Sequence, residues 1–174
     1  MPDRLPALVL VVKQNSKKMN KIISKITPKN TAIILLIAIF FVSDRILKNL
    51  ALATADLQPI KLVGNILWFN FTKNSNIAFS LPLSGLILTI LITIAILALV
   101  CTIIYLILNK KANNLSIVLL TFILFGAISN ILDRIIYGYV IDYLELSYFA
   151  VFNIADAMIS LGAIIMIFKI NWKK

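Results

Sequence analysis

The sequence contains no histidine and only one cysteine, and these two shortages remove several kinds of catalytic site. Without histidine the chain cannot form a Ser-His-Asp or Cys-His site, and it lacks the ligands of the usual zinc centres. Cys101 stands alone in an apolar run, so we expect a small buried hydrophobe and no disulfide within the chain. A hydrolase built on this sequence must use carboxylates, or a serine with a lysine.

Charge is also scarce. Only 14% of the residues are charged and 61% are hydrophobic, whereas charged residues make up about 25% of a soluble protein. A soluble chain of 174 residues could not bury so much apolar surface in one core. We therefore expect lipid to surround most of a single domain.

Four apolar segments are long enough to span a bilayer, which takes roughly 20 helical residues. They lie at about 31–51, 84–108, 115–136 and 149–170. Because lipid offers no hydrogen bonds to the backbone, we expect helices. The sequence thus predicts an all-α membrane protein with four transmembrane helices in residues 31–174. The basic segment 1–30 is interpreted as a cytoplasmic tail, since no small-residue cleavage site follows its short apolar run.

Residues 52–83 form the one long loop between these segments. Its stretch "NILWFNFTK" (65–73) lies between turn residues and suggests short strands, which predicts a small β-rich part outside the membrane. We expect Trp68, Phe69 and Phe71 to lie at the level of the lipid headgroups, where aromatic rings are favoured. Two roles remain open for these rings, an interfacial anchor and a wall that contacts an amphiphilic substrate.

The net charge of +10 is concentrated at the ends of the apolar segments. Residues 1–30 carry seven Lys and Arg, positions 110 and 111 carry two more, and the C-terminus adds Lys169, Lys173 and Lys174. All three regions share one side of a four-helix topology, so that side is expected to be cytoplasmic. This distribution fits anionic lipids rather than nucleic acid.

Acidic residues show the opposite distribution. Of the seven, Asp3 alone falls on the cytoplasmic side, and the other six lie at or beyond the outer ends of the helices: Asp44, Asp56, Asp133, Asp142, Glu145 and Asp156. A charged side chain deep in a membrane helix costs roughly 2.5–3.5 kcal/mol, so each one is a functional candidate. The outer membrane face is therefore the predicted place for chemistry.

Two groups of polar residues have the spacing of one helical face. Asp44 and Lys48 are four apart, with the acid first, which favours an ion pair. Asn130, Asp133 and Arg134 share another face. Asp133 is expected to pair with Arg134, while Arg134 could instead hold a carbonyl or phosphate group.

Asp142 and Asp156 differ from these, because the stretch between them contains no Lys or Arg. Asn153 lies one turn before Asp156 and could orient it. Both aspartates flank the outer hairpin, so they can meet there. Two carboxylates in contact at low dielectric share a proton, and such a pair supplies a base for water and an acid for a carbonyl. The alternative is a pair of loop aspartates facing water.

Other functions would use the polar residues of this chain differently. Ser43 and Lys48 are five apart on a helix and point in different directions, which argues against a Ser-Lys site. A proton-conducting or transport bundle would place acids at the membrane midplane, and a structural subunit would use its charges only to pair helices. No Gly-x-Gly-x-x-Gly, P-loop or Cys-x-x-Cys motif is present.

The stretch "SNILDRIIYGYVIDY" (129–143) followed by "FNIADAMI" (152–159) resembles the bacterial prolipoprotein signal peptidases (signal peptidase II). That family carries GNxxDRxxxGxVxDF-like and FNxAD motifs. The resemblance extends to the D-x-x-x-K pattern of Asp44 and Lys48 and to "NSNIAF" (74–79), which is similar to NxGxAF. It covers nearly all of residues 31–170.

The resemblance implies an aspartyl endopeptidase of the cytoplasmic membrane, with both termini inside, that cleaves a lipid-modified precursor just before its diacylglyceryl-cysteine. Asp142 and Asp156 align with the catalytic aspartates. Positions that line or support the site align with Asn74, Asn130, Arg134, Asn153 and Ala155, and the outer loop would be a cradle over the substrate. No metal or cofactor is implied, and the expected partners are the prolipoprotein and membrane lipids, with no nucleic acid and with the enzyme as a monomer.

Three positions depart from the family pattern. Ser129 and Asn76 stand where the motifs have glycine, and Tyr143 stands where the VxDF element has phenylalanine. These differences concern packing around the site and leave both aspartates in place.

Overall fold

The computed structural model describes residues 28–75, 85–109 and 114–171, with the isolated residues 9, 12, 14 and 16. The elements with complete bounds run in the order α1 (Pro28–Ala53), β1 (Ile60–Val63), β2 (Leu67–Asn74), α2 (Gly85–Leu108), α3 (Asn114–Tyr137), β3 (Val140–Leu146), β4 (Ala150–Phe152) and α4 (Ile154–Asn171). Two compact units divide the chain, Met1–Leu36 and Ile37–Lys174. The second contains all elements after α1.

The expected helices at 31–51, 84–108 and 115–136 are described with ends within three residues of those bounds. The fourth begins at Ile154 rather than at about 149, because Ala150–Phe152 pairs with β3 as a strand. The predicted tail 1–30 lies almost entirely outside the described residues. So do Lys110, Lys111 and residues 76–84 of the outer loop.

Helix α1 has its polar groups inside and its apolar groups outside. Asp44, Lys48 and Ala51 are fully buried, while Val42 and Ile46 are about half exposed. A helix in water shows the reverse arrangement. Exposed aliphatic side chains around buried charges fit a helix surrounded by lipid.

Among the described residues, α2 and α3 are long and apolar enough to cross a membrane, judged by length and composition. Helix α2 has apolar side chains on all sides and buries only Leu88 and Ile103. Aromatic edge-to-face contacts join α1 to α3, between Phe40 and Phe122 and between Phe41 and Phe125, each with ring centroids 5.6 Å apart. The count of four transmembrane helices remains a prediction.

Helices α3 and α4 approach closely at two glycines. A Cβ atom at Gly126 would lie 2.6 Å from the backbone oxygen of Ala155, at the start of α4. A Cβ atom at Gly162 would lie 2.6 Å from Cγ1 of the Ile123 side chain. Small residues at such positions let membrane helices pack backbone to backbone. Gly126 therefore brings the N-terminus of α4 against α3.

The four strands form one antiparallel sheet in the order β1-β2-β3-β4. In the β2–β3 pair, Thr72 lies opposite Asp142 and Asn74 lies opposite Val140. Side chains two residues apart on a strand share a face. Asn74 is therefore a diagonal neighbour of Asp142 on the same face of the sheet. The predicted strands of the outer loop are present as β1 and β2.

A small core joins this sheet to α1. Its buried residues are Ala51, Phe69, Ile141 and Tyr143. Phe69 is only 7% exposed, so its ring is not a lipid-facing anchor, while its level in the membrane stays a prediction. The ring lies instead against Tyr143, with centroids 5.7 Å apart. Trp68 and Phe71 are partly exposed.

We predict that Gly126→Ala and Gly162→Ala will have different effects on stability. At Gly126 the new methyl group meets backbone, which cannot move without shifting α4, so the variant should lose about 1–3 kcal/mol of unfolding free energy. At Gly162 the Ile123 side chain can change rotamer, and alanine gains up to about 1 kcal/mol of helix propensity. Unfolding in detergent measures both. Equal stability of the two variants would contradict the close approach at Gly126.

Candidate active site

Asp142 lies in the middle of β3 with its carboxylate buried. Its side chain accepts hydrogen bonds from two amides, Nδ2 of Asn74 to Oδ2 at 2.8 Å and Nδ2 of Asn153 to Oδ1 at 2.6 Å. The residue is 1% exposed. The alternative of a loop aspartate facing water is therefore wrong for Asp142.

Asp156 lies at the third position of α4 and takes part in a reciprocal cap. Oδ1 of Asn153 accepts a hydrogen bond from the backbone N–H of Asp156 at 2.8 Å, and Oδ2 of Asp156 accepts one from the backbone N–H of Asn153 at 3.3 Å. This is the geometry of a capping box. The FNIAD sequence thus starts the helix and fixes the Asp156 carboxylate at its positive end.

Asn130 and Asn153 connect the two aspartates. Nδ2 of Asn130 donates to Oδ1 of Asp156 at 2.7 Å, while Oδ1 of Asn130 accepts from Nδ2 of Asn153 at 3.2 Å. Asn153 in turn contacts both carboxylates. Asp142 and Asp156 are therefore brought together around one residue, whose side-chain amide bonds to Asp142 and whose backbone N–H bonds to Asp156, although 14 positions separate them in the sequence.

A buried ion cluster lies next to this pair and connects α1 to α3. Nζ of Lys48 contacts three oxygens: Oδ1 of Asn130 at 2.8 Å, Oδ2 of Asp133 at 2.7 Å and Oδ2 of Asp44 at 3.1 Å. These contacts use the three hydrogens of the ammonium group. The contact with Asn130 leaves the amide nitrogen of Asn130 free to point at Asp156. Lys48 thus helps to orient the site through Asn130.

The predicted pair of Asp44 and Lys48 is present, and Asp133 has an ionic partner, Arg45, that the sequence did not predict. Its expected pair with Arg134 stays a prediction. Asp133 forms salt bridges with Lys48 and Arg45, and its Oδ2 also accepts from the backbone N–H of Ile141 at 3.2 Å. Arg45 was missed because it lies next to Asp44 in sequence, off the i, i+4 pattern. Only the tertiary contact between α1 and α3 brings it to Asp133.

Arg134 lies near the aspartate pair and near Asp133. Its guanidinium interacts electrostatically with Asp156, Asp142 and Asp133, in that order of strength. It is only partly buried. A guanidinium in this position can donate hydrogen bonds to a carbonyl or other oxygen beside the carboxylates.

Ala155, the last of the expected motif residues, has a backbone role. It is fully buried, and its N–H donates to Oδ1 of Asp44 at 3.2 Å. Its backbone carbonyl lies against Gly126, where an added Cβ atom would be 2.6 Å from the carbonyl oxygen. Asn76 lies outside the described residues.

The electrostatics of the pair favour a bound proton. Burial, and then the charge of Asp156, raise the pKa of Asp142 to about 7, even though hydrogen bonds from Asn74 and Asn153 act in the opposite direction. A carboxyl group with this pKa can carry a proton at neutral pH, which a free aspartate does not. Within the described ranges, no cluster of three or more His, Cys, Asp or Glu could hold a metal ion.

The chain matches known proteins over most of its length. The family model for signal peptidase (SPase) II matches residues 36–172. The lipoprotein signal peptidase of Caldicellulosiruptor bescii is 32% identical over 75% of this chain and 84% of its own length. That of Clostridium tetani is 32% identical over 77% of this chain and 88% of its own length.

Solved structures show the same fold. A bacterial membrane enzyme determined by the in meso method at 2.3 Å resolution superposes with a TM-score of 0.70, at 22% identity, over 80% of this chain and 87% of that one. A second such structure, at 1.9 Å resolution, gives a TM-score of 0.67. The protein therefore has a membrane enzyme fold, mostly helical with a small antiparallel sheet, and the chain belongs to the signal peptidase II family, whose members are membrane proteases of bacterial lipoprotein processing.

Proposed function

We propose that the protein is an aspartyl endopeptidase that removes the signal peptide from diacylglyceryl-modified prolipoproteins, with Asp142 and Asp156 as its catalytic residues. One observation carries this proposal: the two carboxylates converge on Asn153, inside a protein with the signal peptidase II fold. The lipid-modified precursor and membrane lipids are its partners, it works as a monomer, and the reaction needs no metal.

In this mechanism the pair holds one proton. Asp142, with its raised pKa, is the protonated member and donates to the scissile carbonyl oxygen. Asp156 is the carboxylate, because the N-terminus of α4 and the amide of Asn130 favour its charge. It takes a proton from water, whose oxygen attacks the carbonyl carbon to give a gem-diol. The C–N bond before the lipidated cysteine then breaks as Asp156 gives its proton to the leaving amine nitrogen. Asp142 takes a proton back from the gem-diol as it becomes the carboxylic acid product, which restores the pair.

Arg134 and the amides have separate roles in this scheme. Arg134 holds a backbone carbonyl or polar headgroup oxygen of the substrate next to the pair. Asn74, Asn130 and Asn153 fix the carboxylates, while Asp44, Lys48 and Asp133 hold α1 and α3 together beside them. Ala155 allows the close contact between α4 and α3. The substrate's signal helix enters from the bilayer and its lipid tails stay in the acyl region.

We further propose that α1, α2, α3 and α4 all span the bacterial inner membrane, with both termini cytoplasmic and the aspartate pair at the outer surface. The distribution of Lys and Arg supports this orientation. The helices contain 26, 24, 24 and 18 residues, close to the roughly 20 that a bilayer requires.

Replacing either aspartate by asparagine should abolish cleavage. Asp142→Asn removes the acid and Asp156→Asn removes the base, so each variant should lose at least about 10²-fold of the rate, in line with general acid or base catalysis. The measurement is cleavage of a purified lipid-modified precursor in detergent or vesicles. Glu145→Gln is the matched control, since this β3 carboxylate contacts Asn70 rather than the pair. Full cleavage by either Asp variant would refute the proposal.

Asp133→Asn serves as the comparison in the same assay. It removes a charge that balances Lys48 and Arg45, so about 3–5 kcal/mol of stability should be lost. The folded fraction should still cleave the precursor. A stable but inactive Asp133→Asn protein would instead give Asp133 a catalytic role.

The pH profile of kcat/KM should fall as the pH rises through about 7, because Asp142 then loses the shared proton. The Asn74 amide favours the ionised form of Asp142, so its removal should raise the pKa. Asn74→Ala should therefore move the alkaline limb to higher pH. Asn70→Ala, on the same strand but bonded to Glu145, should leave the limb in place. A limb that moves to lower pH in Asn74→Ala would contradict this assignment.

The orientation can be tested by labelling single cysteines in a Cys101→Ser background. Asp56→Cys should react with a membrane-impermeant maleimide added to intact spheroplasts, because position 56 follows the outer end of α1. Lys111→Cys should react only after the membrane is permeabilised. The reverse pattern would invert the topology and place the aspartate pair on the cytoplasmic side.

A further inference from the structure

The N-terminus of α4, which carries Asp156, is held by side chains of β3 and α1 as well as by its own cap residue, Asn153. The first four N–H groups of a helix have no backbone partner within it. Counted from Asn153, each has a side-chain partner here: Asn153 N has Asp156 Oδ2 at 3.3 Å, Ile154 N has Tyr143 OH at 3.1 Å, Ala155 N has Asp44 Oδ1 at 3.2 Å and Asp156 N has Asn153 Oδ1 at 2.8 Å. Tyr143 belongs to β3 and Asp44 to α1. Tertiary contacts therefore add to the local cap at the start of this helix.

Tyr143 connects the two catalytic elements directly. It follows Asp142 in β3, it is fully buried, and its hydroxyl accepts from Ile154 N while donating to Oδ1 of Asp44 at 2.9 Å. Burial, and then the Asp44 carboxylate, raise the pKa of Tyr143, so the hydroxyl keeps the proton that it donates. The strand with Asp142 is thus tied to the helix with Asp156 through one phenol group.

Ser129 completes the contacts of Asp44. Its buried hydroxyl donates to Oδ2 of Asp44 at 2.6 Å, and Lys48 contacts the same oxygen at 3.1 Å. The Asp44 carboxylate therefore has four donors, which is its full capacity. Two of them, the hydroxyls of Ser129 and Tyr143, occupy the positions where the signal peptidase II motifs have glycine and phenylalanine. Two departures from the family pattern thus converge on one carboxylate.

We propose that Tyr143 and Ser129 are positioning residues of this enzyme, whose hydroxyls hold the Asp44 carboxylate against the N-terminus of α4 and so fix Asp156 relative to Asp142. The proposal rests on the proposed function of the aspartate pair and adds residues that act on it indirectly. Both hydroxyls act through Asp44, so the effects of removing them are coupled.

A change in the distance between the Asp142 and Asp156 carboxylates should then shift the pH profile of kcat/KM. Charged groups face Asp142 from three elements: Asp156 on α4, Lys48 on α1 and Arg134 on α3, while β2 contributes the neutral Asn74. The negative charge of Asp156 raises the pKa of Asp142. If α4 loses its tie to β3 and Asp156 moves away, this effect weakens. The alkaline limb of kcat/KM then moves to lower pH, opposite to the shift expected for Asn74→Ala.

The test compares Tyr143→Phe, Ser129→Ala and the double variant in cleavage of a lipid-modified precursor. Misplacement of a catalytic group can cost on the order of 10²-fold in rate. We expect Tyr143→Phe to lower kcat about tenfold or more with KM unchanged, and Ser129→Ala to act in the same direction by a smaller factor. The loss in the double variant should be less than the product of the single losses. Tyr148→Phe and Ser160→Ala, at exposed positions, are the matched controls.

A purely structural role would lower the yield and the unfolding temperature but leave kcat and the pH profile of the folded enzyme unchanged. That outcome in Tyr143→Phe would overturn the proposal. If Tyr143→Phe does not fold, the same test is made with Ser129→Ala. An unchanged kcat and an unchanged alkaline limb of its pH profile would then overturn the proposal. Asp142→Asn and Asp156→Asn are assayed in parallel. If either of them cleaves the precursor, the catalytic aspartate pair is refuted. If both are inactive and Tyr143→Phe has the kcat and pH profile of the wild type, only the positioning role is refuted.

Discussion

The ammonium group of Lys48, buried between Asp44 and Asp133, is the interaction on which the rest of this structure depends. An unpaired charge at low dielectric is strongly unfavourable. An ion pair there is stable only when hydrogen bonds also satisfy its remaining donors and acceptors. Lys48 meets this requirement with three acceptors from α1 and α3. With Arg45 the cluster is electrically balanced. In the part of the chain that the structure describes, no buried side-chain nitrogen or oxygen lacks a partner.

The side-chain amides of Asn130 and Asn153 connect this ion cluster to the aspartate pair. Lys48 occupies the oxygen of Asn130, so the nitrogen of Asn130 faces Asp156. Asn153 caps α4 with its oxygen and binds Asp142 with its nitrogen. In each amide the oxygen bonds to a group that holds the fold, and the nitrogen donates to a carboxylate of the pair. The site is therefore positioned by the same hydrogen bonds that allow polar groups to be buried at all.

The two carboxylates lie on different kinds of secondary structure. A strand places Asp142 on a sheet face beside Asn74, and a helix start places Asp156 in the favourable field of backbone N–H groups. Each carboxylate accepts two hydrogen bonds, and the proposed mechanism assigns the proton to Asp142 and the charge to Asp156. The close contact at Gly126 brings the start of α4 against α3.

The sequence by itself was enough for the conclusions that rest on composition, such as a chain mostly surrounded by lipid. The length of the apolar segments placed α1, α2 and α3 to within three residues, and the i, i+4 spacing of Asp44 and Lys48 correctly predicted their contact. The motifs identified the family and the aspartates, and the absence of basic residues near Asp142 marked it as unusual. These are local properties, and local properties can be inferred from neighbours along the chain.

Tertiary structure alone decided the rest. The partners of Asp133, the burial of Phe69, the strand at Ala150–Phe152 and the roles of Ser129 and Tyr143 all depend on contacts between segments far apart in sequence. Arg45 and Asp133 are 88 positions apart, and Tyr143 and Asp44 are 99 apart. No helical or strand period extends over such distances. In an apolar surrounding, a buried polar group takes its partner from whichever segment the packing brings within reach, and the packing is a property of the whole chain.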